Sequence, residues 1–536
     1  MHYDVLLILF LLAGVLFLIM LANKFRISYP IFLVVGGLVL SLIPGVPHIR
    51  IDPDIIFLIF LPPLLYEAAW FTSWSEFWKW RRVVAMLAFG LVIVTAGCVA
   101  FISTAIIPGF TLALGFLLGG IISPPDAIAA TSVLKNVSVP KRLVAILEGE
   151  SLVNDASSLI VFRFALAAVV SGQFAFSNAV MQFILAAGMG ISIGIGVACI
   201  IYIIHTRLPT TPSIDAALTA MSPYIMFLAA EQFHFSGVLA VVSGGLFLSY
   251  RSHKILKRGD SRMQATGFWT TITFILNGLV FILIGLELPI VIAELGDYSV
   301  WQAVQYGLII SFVAIVVRLL WVFPIAYVPI WLNNRVRADN VNPTWKGPLI
   351  IGWAGMRGVV SLASALSIPL LITNGEVFPY RNLILFITFI VILVTLVFQG
   401  LTLTHVIRWV NIKESDVRPP LSQQEAGIQL RLKEAGLALL NEKFQSDLAN
   451  NELVGLLKKN MEEDITEIRA RLESLECDTM AKEEIERYNQ VLAELYARQR
   501  DELFQLRRAE TFSDDVIRKQ EAQIDLDETK IQNHTH

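Results

Sequence analysis

Apolar runs of membrane-crossing length recur along the first 410 positions, separated by short polar stretches that carry Lys, Arg, Pro or Gly. A helix needs roughly 20 apolar residues to cross a hydrocarbon core about 30 Å thick. Thirteen stretches fit: 4–22, 28–45, 54–70, 82–107, 111–134, 143–170, 178–205, 213–231, 236–250, 265–292, 301–330, 346–372 and 383–409. The pattern predicts an all-α polytopic membrane protein. The weakest fits are 213–231, which contains Asp215 and Pro223, and 236–250, which is short. The opening MHYDVLLILFLLAGVLFLIMLANK has no basic n-region and no A-x-A cleavage site. It reads as a first transmembrane helix and not as a signal peptide. The pattern changes at residue 411. In EEDITEIRARLESLE, Ile465, Ile468, Leu472 and Leu475 recur at three- and four-residue spacing, the mark of an amphipathic helix. Residues 1–410 are expected to form the membrane domain. Residues 411–536 are expected to form a helical tail of two to four helices with a frayed end. A helical bundle supporting assembly is the plain reading of that tail; a regulatory module is the sharper one.

Charge fixes the direction of the spans. Only 16% of the 536 residues are charged and 55% are hydrophobic, whereas a soluble domain is about 25% charged. The tail holds 18 Lys/Arg and 27 Asp/Glu, leaving 23 and 17 for the first 410 residues. A basic membrane part is thus joined to an acidic tail, and the whole-chain net charge of −3 identifies no partner. One set of alternate loops holds 17 Lys/Arg: Lys24, Arg26, Lys79, Arg81, Arg82, Lys135, Lys141, Arg142, Arg207, Arg251, Lys254, Lys257, Arg258, Arg262, Arg335, Arg337 and Lys346. The other set holds only Arg50 and Arg381. Cytoplasmic loops carry the excess of Lys and Arg. The N-terminus is therefore expected outside and the C-terminus in the cytoplasm. Cys98, Cys199 and Cys477 are far apart and form no metal or disulfide motif. No nucleophile motif, phosphate-binding loop or dinucleotide fingerprint supports an enzyme. No resident cofactor and no nucleic-acid partner are expected.

Ionisable residues inside membrane spans are costly and mark functional sites by default. Away from helix ends they are Glu67, Asp126, Glu148, Glu150, Asp155, Arg163, Arg318 and Arg357. Four of the acids and bases lie in the sixth span, around ILEGESLVNDASSLIVF. At about 100° per residue, Glu150, Asn154, Ser158, Ser151 and Asp155 share a face about 140° wide. Glu148 falls just beyond it and Arg163 lies off it. Such an oxygen-rich face could hold a hard monovalent cation or a proton. It could equally be a polar network that only locks helices together. In the fifth span, GGIISPPDAIAA, two consecutive prolines cannot continue an ordinary helix. Carbonyls one turn upstream lose their donors. Asp126 then begins a second half-helix, where a carboxylate caps free N–H groups; capping alone is the favoured reading of it. In the twelfth span, IIGWAGMRGVVSLASALSIPL, glycines flank Arg357, whose guanidinium needs carboxylates or freed carbonyls. Glu150 is a candidate partner. Two interrupted segments in corresponding halves point to a transporter's binding site. Glu67, after FLPPLLY, either pairs with a buried arginine or snorkels. Arg318 reads as a structural ion-pair partner in preference to a transport residue.

FLPPLLYEAAW, GGIISPPDAIAA, EGESLVNDASSLIVF and GWAGMRGVVSLASAL together resemble the sodium/proton exchanger family, in particular the bacterial NhaP-type branch of the cation/proton antiporter-1 group. The resemblance covers about residues 1–410. It implies thirteen transmembrane helices in two inverted repeats, with broken helices in spans 5 and 12 crossing near the site. It implies a core domain (spans within 82–170 and 301–409) moving against a dimerisation domain (4–70 and 178–292), and a homodimer in the cell inner membrane. By resemblance Asn154 and Asp155 are the signature pair, and Asp155 binds either cation or proton. Ser151, Glu150 and the backbone carbonyl of Pro125 help hold the Na⁺, Asp126 is the acidic cap, and Arg357 interacts with Glu150 and Asn154. Glu67 is a supporting residue, and Glu148 has no assigned role. Pro125 stands where the family often has a threonine: a carbonyl ligand survives that change, a hydroxyl contact does not.

The reading is a Na⁺/H⁺ antiporter working by alternating access, serving pH and sodium homeostasis. Asn before Asp155, and not a second acid, goes in the family with electroneutral exchange. K⁺ or Li⁺ as the main cation is the first rival. A membrane ion sensor or channel signalling through the tail is the second.

Overall fold

The computed structural model describes residues 2–25, 27–43, 53–134, 137, 139–172, 176–293, 295, 298–332, 344–372, 375–412, 421–477, 480–508 and a few positions after 515. Of the loop charges that fix the orientation, Arg26, Arg50, Lys135, Arg335 and Arg337 lie outside these residues.

Among the described residues every named element is helical, apart from one isolated bridge between Leu371 and Val377. The chain opens with α1 (His2–Phe25), α2 (Tyr29–Ser41), α3 (Pro53–Phe71) and α4 (Trp74–Ala85). A π-helical turn, Met86–Leu91, carries α4 into α5 (Val92–Ile106). There follow α6 (Leu112–Ile122), α7 (Ala127–Leu134), α8 (Lys141–Ser171) and α9 (Phe176–Arg207). Next come α10 (Pro212–Glu231), α11 (Gly237–Tyr250), the short α12 (Ser252–Ile255), α13 (Gly259–Ala293) and α14 (Val300–Leu332). The membrane part ends with α15 (Lys346–Trp353), α16 (Val359–Leu366) and α17 (Arg381–Leu393), then a second π-helical turn, Val394–Gln399, and α18 (Gly400–Val410). The tail holds α19 (Leu421–Lys443), α20 (Gln445–Asn450), α21 (Glu452–Cys477) and α22 (Met480–Arg508).

Eight of the described helical stretches are long and apolar enough to cross a membrane, and four shorter ones are apolar. Their ends follow local chemistry. Thr111, Thr211 and Ser236 accept hydrogen bonds from N–H groups three residues on, capping α6, α10 and α11. Gly172 closes α8 in the left-handed region at φ 69°, which glycine enters without strain.

Helices in lipid associate by close packing, and small residues let backbones approach. Gly37 on α2 and Gly285 on α13 face each other's backbone, with no room for a Cβ at either. Gly115 and Gly119 on α6 lie on Ala100 and Ala96 of α5 in the same way.

The chain divides into two compact units, residues 1–415 and 416–536. In the second, α19 and α21 pack together and are joined by Lys433–Asp464 and by Arg469–Glu434 at 2.5 Å.

Candidate functional site

The site begins where α6 stops. Pro124 and Pro125 bring no N–H, so the carbonyls that would have bonded them need other donors. Asp126 has an N–H, but it turns away from α6 and donates to Met356 O at 2.6 Å. Ile122 O, which that N–H would have satisfied in a helix, accepts instead from Arg357 Nε at 3.1 Å. Pro125 O accepts from Asn154 Nδ2 at 3.3 Å.

A matching interruption separates α15 from α16. Arg318 Nε donates to Ile351 O at 3.2 Å, Gln399 Nε2 to Trp353 O at 3.1 Å, and Arg357 Nη1 to Gly355 O. The Arg357 N–H is held by Thr395 Oγ1 at 3.1 Å. Thr395 and Gln399 both lie on the second π-helical turn, and Ala88 O on the first accepts from Ser157 of α8. Such turns expose carbonyls and recur at functional sites.

The Asp126 carboxylate sits between two half-helices. Oδ1 caps α7 through Ile128 N at 2.8 Å, with Ala129 N at 3.5 Å. Oδ2 lies over Gly358, where a Cβ would collide with it. Oδ2 makes no well-formed hydrogen bond, but the N–H of Val359, first residue of α16, acts on the same carboxyl. One carboxyl group thus faces the N-terminal ends of both helices.

From α8, Ser151 Oγ accepts from Ala127 N at 3.2 Å. Glu150 points elsewhere. It is 1% exposed and takes a two-pronged ion pair from Arg318, Nη1–Oε1 2.5 Å and Nη2–Oε2 2.8 Å. The direct partner of Glu150 is Arg318; Arg357 donates to the freed carbonyls of both interruptions and interacts with Glu150 as a nearby charge, without a hydrogen bond. Arg163 leaves the site altogether and pairs with Glu231 at 2.7 Å.

Asp155 is 8% exposed. Among the described residues its carboxylate takes no hydrogen bond and no ion pair, and it lines a cavity of about 510 Å³. Ser151, Pro124, Pro125, Asp126, Glu67 and Glu148 line the same cavity. Glu67 is half-buried and Glu148 exposed. Tyr29 and Thr270, Thr273, Phe274 and Asn277 of α13 line the cavity as well. Sequence reading missed these. Thr and Asn cost little in a hydrophobic run, so no hydropathy signal marks them; only their three- and four-residue spacing could have. Asp155 and Ser151 bring a carboxylate and a hydroxyl to the lining of one cavity beside Pro125, the oxygen donors that hard cations prefer.

Residues 8–409 match the family described as sodium/hydrogen exchanger, transmembrane. The chain belongs to the sodium/hydrogen exchanger family. The exchanger is 31% identical to Rv2287 of Mycobacterium tuberculosis, an uncharacterised Na⁺/H⁺ exchanger by name, over 99% of this chain and 96% of that one. It is 33% identical to a sodium, potassium, lithium and rubidium/H⁺ antiporter of Bacillus pumilus, over 71% of this chain and 58% of that one. Its fold is similar to that of the sodium proton antiporter MjNhaP1 of Methanocaldococcus jannaschii, with TM-score 0.59 and 20% identity, covering 74% of this chain and 99% of that chain.

Proposed function

We infer that the exchanger moves Na⁺ against H⁺ by alternating access, with Asp155 as the group that holds either ion. The observation that carries this reading is the Asp155 carboxylate: buried, without a protein partner among the described residues, and facing a cavity shared with Ser151 and Pro125. A carboxylate holding a proton cannot also hold a cation. A bare charge resists movement through an apolar barrier, whereas a neutralised one does not. That single obligation couples the two fluxes, and one titrating carboxylate fits one-for-one, electroneutral exchange. The Pro125 carbonyl and Ser151 hydroxyl complete the cation's near side. Asp126, Arg357 and Arg318–Glu150 hold the crossing in shape, and Glu67 supports the site from α3.

Thirteen crossings are consistent with eight long apolar helices, four shorter ones and the α15–α16 pair. The inverted repeats, the core and dimerisation domains and the homodimer follow from the family reading. The cavity extends to Leu134, Val137 and Val139, beside Lys141 and Arg142. The Lys/Arg bias assigns that side to the cytoplasm, so in this conformation the site opens inward. The setting is the cell membrane, with the tail in the cytoplasm.

The test is reconstitution in liposomes, with an imposed Na⁺ gradient and luminal pH as readout. Wild type should move protons and Asp155→Asn should not; exchange retained by Asp155→Asn removes the site assignment. The Bacillus pumilus relative's name includes potassium, lithium and rubidium, so K⁺ and Li⁺ belong in the same assay as rivals for the cation.

A further inference from the structure

The lining of the cavity includes polar residues of α13 that the exchange reading has not used. Thr270, Thr273, Phe274 and Asn277 all line it, at the spacing of one helical face of α13. Thr273 is 7% exposed and Asn277 3% exposed. Thr273 Oγ1 and Asn277 Oδ1 are both buried and have no hydrogen-bond partner among the described residues.

Neither fact is ordinary. A threonine inside a helix usually turns its hydroxyl back onto a carbonyl one turn earlier. Thr270, one turn before Thr273 on the same helix, does so with Thr266 O at 2.9 Å. Thr273 has the same option and does not take it. Buried polar atoms are nearly always paired, and each exception calls for a partner of another kind. Unpartnered buried oxygens also occur away from the cavity, as at Thr95 and Thr388, but these two stand one turn apart on residues that line the same cavity. Ser361, on the first turn of α16, also lines the cavity, and its Oγ is buried without a partner among the described residues.

The cavity offers a cation Asp155, Ser151 and the Pro125 carbonyl. Three oxygens fall short of the shell of a hard cation, so an ion arriving from water keeps some of its water. Water held by a cation is a strong donor, and what it needs is acceptors. We propose that Thr273 and Asn277 of α13 form the second half of the cation site, accepting from the water that a partly hydrated ion retains, and so set which monovalent cation fits. The proposal rests on the exchange reading, and it adds α13 as the selecting wall. Cations that differ in radius and in their hold on water place that shell at different distances from α13. Removing an acceptor therefore changes the preference among cations and not merely the rate. Protonation of Asp155 needs no such shell, so the proton branch stays as it was. Thr273 and Asn277 are positioning residues, acting on the ion through its water.

The experiment compares wild type, Thr273→Val, Thr273→Ser, Asn277→Ala and Asn277→Gln. In liposomes, the apparent KM for Na⁺, Li⁺ and K⁺ is read at fixed pH, with Vmax and the pH profile at saturating cation. In detergent, the rise in melting temperature on adding NaCl, LiCl or KCl gives binding without transport. Thr273→Val and Asn277→Ala should change the Na⁺/K⁺ ratio of apparent KM by about threefold or more, the scale of one lost water-mediated hydrogen bond. Vmax and the pH profile should hold, and Thr273→Ser should restore the wild-type ratio. The order of the cation-induced melting shifts should change in parallel. Unchanged ratios in both variants, or equal factors for all three cations, overturn the proposal. A fall in Vmax or yield alone does the same, since that is what a purely structural role would give. Failure of the exchange reading looks different: wild type would then move no protons, while Na⁺-induced stabilisation and its dependence on Thr273 could still be read.

Discussion

Arg318 and Glu150, on α14 and α8, meet in a two-pronged ion pair in which the side chains are 0% and 1% exposed. Removing one partner strands the other charge in a low-dielectric interior. Arg318→Ala or Glu150→Ala should each destabilise the membrane unit by about 3–5 kcal/mol. The double change Glu150→Gln with Arg318→Met should recover much of that loss. Thermal unfolding in detergent, followed by size exclusion, gives the comparison. Additive losses would show that the pair is not a unit.

A more exposed interhelical pair should behave differently. Arg163–Glu231 is half-exposed, with side chains 50% and 28% accessible. Exposed pairs are worth little, so Arg163→Gln should cost less than about 1 kcal/mol in the same assay. Glu231 has a second task, accepting from Gly237 N at 3.2 Å. Glu231→Ala should therefore cost more than Arg163→Gln, and Glu231→Gln should lie between them.

At the crossing, Asp126→Asn keeps an oxygen for the Ile128 N–H, whereas Asp126→Ala does not. The alanine variant should lose about 1 kcal/mol more, the usual worth of an N-cap. Gly358→Ala places a methyl group inside the Asp126 carboxyl and should cost about 1–3 kcal/mol as overpacking. Gly267→Ala, on α13 where nothing lies within reach of a Cβ, is the control. Melting temperatures of the four proteins rank these effects.

On the exchange reading, competition at Asp155 has a sign. Lowering the pH supplies the competing ion, so the apparent KM for Na⁺ should rise as pH falls. The slope should approach about tenfold per pH unit where the protonated form dominates. Vmax-corrected initial rates between acid and alkaline limits check it. A pH-independent KM would mean that proton and cation occupy separate groups.

Residues 416–536 form a compact unit of their own. A chain ending at residue 415 should still exchange in liposomes. Loss of exchange in a truncated protein that remains folded and monodisperse would favour the sensor reading.

What could be read from the chain was whatever is decided within a turn or two. Two prolines stop a helix wherever they occur, and α6 ends at Ile122. Ser151 and Asp155 of α8 come to the same cavity because they stand one turn apart, whereas Glu150 turns to Arg318. Pairings across the fold were not open to the same logic. Glu150 had two buried arginines to choose from, and the choice depends on how α14 leans on α8. Arg357 found its acceptors at Gly355 and Ile122 because broken backbone leaves carbonyls behind. Thr273 and Asn277 were silent because an uncharged polar residue barely disturbs an apolar run.

The two interruptions complete each other, and this bears on how the protein is made. Ile122 O waits for Arg357, 235 positions further along the chain, and the Asp126 N–H waits for Met356 O. While the ribosome is still delivering the intervening helices, α6 and α7 stand in the bilayer with backbone groups that nothing nearby can satisfy. The crossing of the two interruptions is therefore incomplete until α15 and α16 arrive, and a truncated product that stops before them lacks the partners of Ile122 O and of the Asp126 N–H.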